Sequence, residues 1–288
     1  MTSLQNRKVS VVIPNYNYAK YLKKRIKSIL RQTYPIYELI ILDDKSSDGS
    51  DKIIESEIQR IKSRYPELRV QFVRNEKNSG KAISQWKKGF ELATGDFVWI
   101  AEADDLSKRS FLEEVMRGFD DPKVVLSYTE SSIINSYGLM LAPNFRWSRD
   151  KEKTGHYKKS YIKDGKKEIE EIMAIRCTIP NVSAVVFRNN KKYLEYLDEA
   201  LRFDQVGDWY FYAKILEYGK ISYNKKSLNK FRIHGGSKTK ESKKDGRHYK
   251  EILGMYGYFR KNYKMSEVVL NRMDIEEIRV RKKHVIIE

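Results

Sequence analysis

Val98-Trp99-Ile100-Ala101-Glu102-Ala103-Asp104-Asp105 is the stretch on which the reading of this chain turns. An apolar run from Phe97 to Ala101 stops at Glu102, Asp104 and Asp105. The run is short, rich in β-branched and aromatic residues, and preceded by Gly95-Asp96, which predicts a buried strand. Its end then sets acids at the carboxyl edge of a sheet, where open α/β sheets bind ligands. Three crowded carboxylates repel one another and stay ionised together only beside a counter-charge, most simply a divalent cation with oxygen ligands. An acidic turn capping the next helix is the competing reading. These eight residues alone do not choose between the two.

The flanking sequence repeats the pattern. Val9 to Pro14 reads as a buried parallel strand, and Tyr21, Leu22, Ile26, Ile29 and Leu30 recur at helical spacing up to Tyr34-Pro35. Leu39 to Leu42 is a second strand that runs into Asp43-Asp44, and Ser50 opens a helix with Ile53, Ile54, Ile58 and Ile61 on its apolar side. Val70 to Val73 is a third strand, and Lys81 to Leu92 is a helix leading into the acidic stretch. Strand and helix alternate, so the prediction is a doubly wound α/β sheet whose polar strand ends gather at one edge.

Further on, a helix over 111–118 and a strand over 124–128 are expected. Arg146 to Glu168 is polar and aperiodic and predicts a loop. A helix at 168–176, a strand at 182–187, a helix at 209–218 and short strands at 221–223 and 228–233 follow, with helices from Arg247 onward. Neither G-x-G-x-x-G nor the G-x-x-x-x-G-K-[ST] loop is present, so a bound nucleotide is held in some other way.

At 288 residues the chain can bury a sizeable core. Its formal charge of +18 is uneven: residues 220–288 hold 19 Lys/Arg against 8 Asp/Glu. Such a segment suits an anionic surface or substrate, or else is a solvated face. Cys177 is the single cysteine, which excludes an intrachain disulfide and favours a reducing compartment. With no signal-like N-terminus and no long apolar run, a cytoplasmic protein is expected, loosely held at the inner membrane face. The basic segment motivates a rival reading as a non-enzymatic module for nucleic acid or membrane. No nucleic-acid motif accompanies the charge, however, and no nucleic-acid partner is expected.

Six motifs appear in a fixed order: V-S-V-V-I-P-N-Y-N, I-I-L-D-D-K-S-S-D-G-S, N-x-x-N-S-G-K, E-A-D-D, G-D-W and F-R-I-H-G-G-S. Over roughly residues 8–240 this series resembles the family-2 glycosyltransferases, which have the GT-A fold. The resemblance implies an α/β, Rossmann-like, mostly parallel sheet flanked by helices. It places a GT-A domain at 1–240, with a nucleotide-binding half at about 8–128 and an acceptor half at about 129–240. A small basic helical extension takes up 241–288.

The resemblance also implies roles, carried over position by position. Pro14 and Tyr16 lie where the family packs against the nucleotide base, and Asp44 where it bonds the base. Lys81, or Lys77, answers phosphate charge, while Asp43 and Asp48 fall to loop and cap work. Glu102-Ala103-Asp104 stands in place of D-x-D: Asp104 as ligand for Mn²⁺ or Mg²⁺, Glu102 toward the sugar with one methylene more than the usual Asp, and Asp105 in support. Asp208 of G-D-W is the expected general base of an inverting transfer, with Asp204 in reserve because Gly207 replaces an acid that many relatives carry. Arg232 and His234 belong to the segment that closes over the diphosphate, the first as a phosphate fork and the second as a further metal ligand. Gly235-Gly236-Ser237 gives that segment its freedom to close. The implied partners are a nucleotide-diphosphate sugar and a glycan or lipid-linked glycan acceptor, in cell-surface polysaccharide synthesis. A sugar nucleotidyltransferase is the other enzymatic reading, but Pro14-Asn15-Tyr16-Asn17 stands where those enzymes carry a glycine-rich stretch.

Overall fold

The computed structural model describes residues 7–146, 150, 155–235 and 246–285. Its first half is the alternation expected: β1 (Val9–Asn15), α1 (Ala19–Leu30), β2 (Glu38–Asp43), α2 (Ser50–Arg64), β3 (Arg69–Arg74), α3 (Ala82–Leu92) and β4 (Phe97–Ile100). β5 (Leu106–Ser107), α4 (Phe111–Met116), β6 (Val124–Ile134) and β7 (Met140–Ala142) follow. Then come β8 (Tyr161–Asp164), α5 (Gly165–Glu168, continuing as a π-turn through Met173), β9 (Val185–Arg188), α6 (Tyr193–Ala200), α7 (Gly207–Leu216), β10 (Lys220–Arg232), α8 (Arg247–Asn262) and α9 (Glu267–Val285).

One sheet runs through the molecule in the order β3-β2-β1-β4-β9-β6-β10-β5, with β7 on β6 and β8 on β10. β1 to β4 are mutually parallel, and β9 runs antiparallel between β4 and β6. β1, β2 and β4 are buried on both faces, which is why they read as apolar runs, while the edge strand β3 stays partly exposed. Their alternation sorts two cores: Val9, Val11, Ile13 and Trp99 pack beneath α1, α2 and α4, while Val12, Ile100 and Leu42 pack beneath α3 and α7. α3 lies so close to β1 that a Cβ on Gly89 would come within 2.7 Å of Val12 Cγ1.

Several spans differ from expectation for physical reasons. β6 continues six residues past Tyr128 because Thr129, Glu130, Ser131 and Ser132 are buried polar groups satisfied inside the sheet, a pattern that apolar counting misses. The two short strands at 221–223 and 228–233 are one strand, β10, broken in register at Asn224/Ser227 and Ser227/Asn229 by irregular pairing against β6. The supposed loop over 146–168 contains β8, antiparallel to β10, and the buried Tyr157; residues 147–149 and 151–154 of it lie outside the described residues. The expected strand at 182–187 begins as a 3₁₀ turn over Val182–Ala184 and is extended only from Val185.

The C-terminal helices join the main core. Met255, Tyr256, Phe259, Tyr263, Val269 and Met273 are buried in the same cluster as Trp209, whose ring lies 5.4 Å from that of Phe259.

Candidate active site

β4 ends at the centre of the sheet edge, with Ala101 N–H still donating to Val12 O. The chain then turns, Asp105 N–H to Glu102 O at 3.2 Å, and aims its three carboxylates in different directions. Glu102 accepts a 2.7 Å bond from the indole Nε1 of Trp86 on α3. Asp104 Oδ2 lies 2.9 Å from His234 Nε2. Asp105, which is buried, accepts from Arg232 N–H at 2.8 Å and bonds Ser183. The acidic turn is therefore tied to α3, to the end of β10 and to the turn before β9.

A buried cation lies beneath it. Arg25 of α1 is fully buried, donates to Ser107 Oγ at 2.9 Å and lies 5.1 Å from the Trp99 ring centre. Its Nε and Nη2 have no hydrogen-bond partner among the described residues. Burial lowers its pKa to about 10, and the charges of Asp105, Asp104 and Glu102 oppose that fall. On the acids the balance is reversed. Burial, with Asp104's charge second, pushes Glu102 up to about 8 and Asp105 up to about 7, while Arg25 works against both rises. Sequence reading passed over Arg25, though it falls at helical spacing with Tyr21, Leu22, Ile26 and Ile29 (a cation inside an apolar stripe).

Arg232 is also buried. Its guanidinium donates to the carbonyls of Asp104 (2.5 Å), Asn135 (2.8 Å) and Ser136 (3.3 Å) and lies 4.6 Å from the Tyr21 ring centre. The arginine thus staples β10 to the acidic turn. His234 packs edge-on against Tyr18 and tilted against Tyr21. Gly235 is the last described residue of this segment, and Gly236 and Ser237 lie outside the described residues.

The ends of β1 and β2 form the next part of the edge, with Asn15 paired to Asp43. Asp43 accepts from Asn15 Nδ2 and from the N–H and hydroxyl of Ser46, and Asp48 accepts from Ala19 N–H and Ser50, so both acids fix loops. Asp44 takes Asn75 Nδ2 and Ser79 N–H on one oxygen and Ser79 Oγ on the other, which folds the 75–80 loop over it. Pro14 is buried within β1, and Tyr16 is 40% exposed beyond it. Lys77 is exposed to solvent.

The third part is a cleft of about 400 Å³ whose lining includes Lys81, Trp86, Phe203, Asp204 and Asp208. Asp208 opens α7, and its Oδ1 accepts from Trp209 N–H at 2.7 Å. Burial raises it to about 6 against the pull of that bond, and no cation pairs with it among the described residues. Gly207 precedes it for lack of room, since a Cβ there would be 3.0 Å from Ala200 O and 3.2 Å from Ile83. Lys81 and Asp204 meet each other: Lys81 Nζ lies 2.8 Å from Asp204 Oδ1 and donates to Leu201 O, and Arg247 approaches Asp204 at 3.6 Å.

Two residues missed in the sequence connect these parts. Trp86 lines the Asp208 cleft and bonds Glu102, so one side chain belongs to both halves of the site. Glu251 of α8 accepts three backbone N–H groups, from Asp204 (2.8 Å), Gln205 (2.8 Å) and Val206 (3.2 Å), the residues that lead into Asp208. It pins, from another helix, the turn that leads into α7. Neither has a local sequence signature.

The donor set of the acidic turn suits a divalent cation held jointly with a ligand. Asp104 and His234 offer one carboxylate oxygen and one imidazole nitrogen side by side. Among the described residues no group of three or more His, Cys, Asp or Glu side chains is arranged to hold a metal alone. Mg²⁺-like ions are commonly held this way, by one or two protein groups plus substrate phosphates.

Residues 10–170 match the model of the family described as Glycosyl transferase family 2. The putative teichuronic acid biosynthesis glycosyltransferase TuaG of Bacillus subtilis is 32% identical over 133 residues, 46% of this chain and 50% of that protein. The chain spans 33–50% of the length of three curated relatives that it matches. Among solved structures, S. aureus TarS 1-349 in complex with UDP-GlcNAc superposes with a TM-score of 0.64 at 18% identity, over 96% of this chain and 72% of that one. The mannosyltransferase PcManGT of Pyrobaculum calidifontis, in complex with GDP-Man and Mn²⁺, gives 0.61 at 17%, over 98% and 74%. At such identities the likeness speaks for the fold alone, which is the GT-A arrangement of a central sheet flanked by helices.

Proposed function

The chain belongs to glycosyl transferase family 2, and on that premise we propose that it is an inverting, metal-dependent transferase that moves a sugar from a nucleotide-diphosphate donor to a glycan or lipid-linked glycan. The observation that carries this reading is the bridge at Trp86, which places the ionisable Asp208 cleft against the acidic turn that pairs Asp104 with His234. Pro14 and Tyr16 border the base, and Asp44 exchanges part of its grip on the 75–80 loop for the base edge. Asp104 and His234 would hold Mn²⁺ or Mg²⁺ together with the diphosphate, and the ion would supply charge stabilisation for the departing nucleotide. Glu102, oriented by Trp86, faces the sugar. Lys81 reaches the diphosphate by leaving Asp204, and Arg232 serves the donor through the turn it staples.

In the transfer, Asp208 accepts the proton of the acceptor hydroxyl as that oxygen bonds to the anomeric carbon. The bond from the anomeric carbon to the diphosphate oxygen breaks on the opposite face, and its electron pair leaves with the nucleotide. A carboxylate raised to about 6 is ionised at neutral pH yet basic enough to take the proton. The likeness to TuaG, a putative teichuronic acid biosynthesis glycosyltransferase, supports an acceptor in cell-envelope polysaccharide synthesis.

For attachment to a membrane, α9 presents Val268, Ile275 and Ile278 at 68%, 48% and 53% exposure on a helix that also carries Arg272, Arg279, Arg281 and Lys282. Arg279 and Arg281 pair with Glu276 and Glu277, so the helix offers a bilayer its exposed apolar residues and a small excess of positive charge. Among the described residues no helix is long and apolar enough to cross one.

The test is a thermal-shift screen of nucleotide diphosphates with Mn²⁺, followed by mass spectrometry of donor hydrolysis over a panel of activated sugars. A stabilising nucleotide, and slow hydrolysis abolished by Asp104→Ala, are expected. A folded protein indifferent to every nucleotide overturns the proposal.

A further inference from the structure

A second concavity, of about 790 Å³, lies between α7 and α8. Lys166, Arg202, Lys214 and Lys261 line it, with Tyr218 and Tyr258 among the rings of its wall. Its one described acid, Glu217, is already engaged by Lys214 at 3.3 Å and by the Tyr263 hydroxyl at 2.5 Å. Lys166, Arg202 and Lys261 form no ion pair among the described residues. Arg202 is instead held over aromatic faces, 4.8 Å from the Phe203 ring centre and 4.6 Å from that of Tyr210. A cation oriented by rings keeps its charge available to a ligand.

This groove adjoins the Asp208 cleft. Phe203 lines that cleft, its ring lies 5.4 Å from Tyr210, and Tyr210 lines the groove. One pair of aromatic rings separates the two. Mixed cations and tyrosines suit a ligand that alternates apolar sugar faces with negative groups. A flat bilayer cannot follow a recessed surface, and Tyr218 is stacked on Tyr196 with Lys192 4.4 Å from its ring centre, which leaves it poorly placed to take a nucleobase.

We propose that this groove binds an anionic glycan, the phosphate- or carboxylate-bearing part of the acceptor behind the hydroxyl that reaches Asp208. The inference rests on the transferase reading for the word acceptor, but the groove's preference for charged glycans stands without it.

The test uses the full chain and two probes of equal length, oligogalacturonate (charged) and maltooligosaccharide (neutral), with phosphatidylglycerol vesicles as a third arm. The charged oligosaccharide should bind about tenfold tighter than the neutral one at low salt, and the preference should fade as salt is added. The double variant Lys166→Glu/Lys261→Glu, both at exposed positions, should remove that preference and leave the nucleotide-induced thermal shift unchanged. Equal binding of both oligosaccharides, a preference that survives the double variant, or binding through these lysines to vesicles alone would each overturn the proposal. Loss of the nucleotide response in wild type would count against the donor site, and the groove result would stand apart from it.

Discussion

Replacing Asp208 by Asn should make the protein more stable and inactive. The carboxylate is raised from 3.8 to about 6 because burial disfavours its charge, and among the described residues no cation offsets that burial. Two units correspond to about 3 kcal/mol, and the partial exposure of the cleft trims this to about 1–3 kcal/mol. Asparagine keeps an oxygen for the 2.7 Å bond from Trp209 N–H, so helix α7 loses little. For a chain of this size the gain corresponds to about 2–6 °C in Tm. Its pH dependence is the signature. Between 3.8 and about 6 the folded protein retains a proton that the unfolded chain has lost, so wild-type stability falls as pH rises through that window. The variant's advantage should vanish near the lower bound and be complete above the upper one. Differential scanning fluorimetry across pH, beside a transfer assay, reads both effects. Wild-type transfer should itself decline as pH falls below about 6. An Asn variant less stable than wild type at neutral pH, or one that transfers at the wild-type rate, would refute the reasoning.

Removing Glu251 as Ala deprives three backbone N–H groups of their acceptor. A loss of about 2–3 kcal/mol is expected, with kcat lowered more than donor affinity and partial rescue by Gln. Arg25→Met should cost about 3–5 kcal/mol in chemical denaturation above about pH 8, where both acids are ionised; the cost should shrink as pH falls through about 8 and about 7, where Glu102 and Asp105 take up protons and need no counter-charge. Gly89→Ala forces a methyl to within 2.7 Å of Val12 Cγ1 and should cost about 1–3 kcal/mol in urea denaturation, relieved when Val12→Ala is added.

The parallel half of the fold was legible because its strands are apolar on both faces and its helices carry one-sided stripes; little there depends on distant residues. β6 and β10 resisted because they hold buried Glu130, Ser131, Asn229 and Arg232, polar groups whose partners lie on other strands and, for Arg232, on the acidic turn and the loop after β6. The acids of the candidate site lay in short motifs and could be found. What holds them could not. Arg25, Trp86 and Glu251 act across 82, 16 and 46 positions, respectively, through contacts that no local window contains. Arg232 and Lys81 show the converse: both are in the motifs, and in the structure both are engaged with protein groups, Arg232 with three carbonyls and Lys81 with Asp204 and Leu201.

Glu251 has a consequence for anyone exchanging parts between related transferases. The stretch that matches the family model ends at residue 170, yet the turn that leads into the helix of Asp208 is held from α8, some 45 positions after it in sequence. A segment transplanted from residue 204 through α7 would arrive with three amides lacking their acceptor. The smallest exchangeable piece is therefore that turn and α7 together with α8, and shortening the basic tail past Glu251 to remove charge would also remove the strut beneath this turn. The tail's charge is better probed by substitution on the exposed face of α9, which leaves that strut in place.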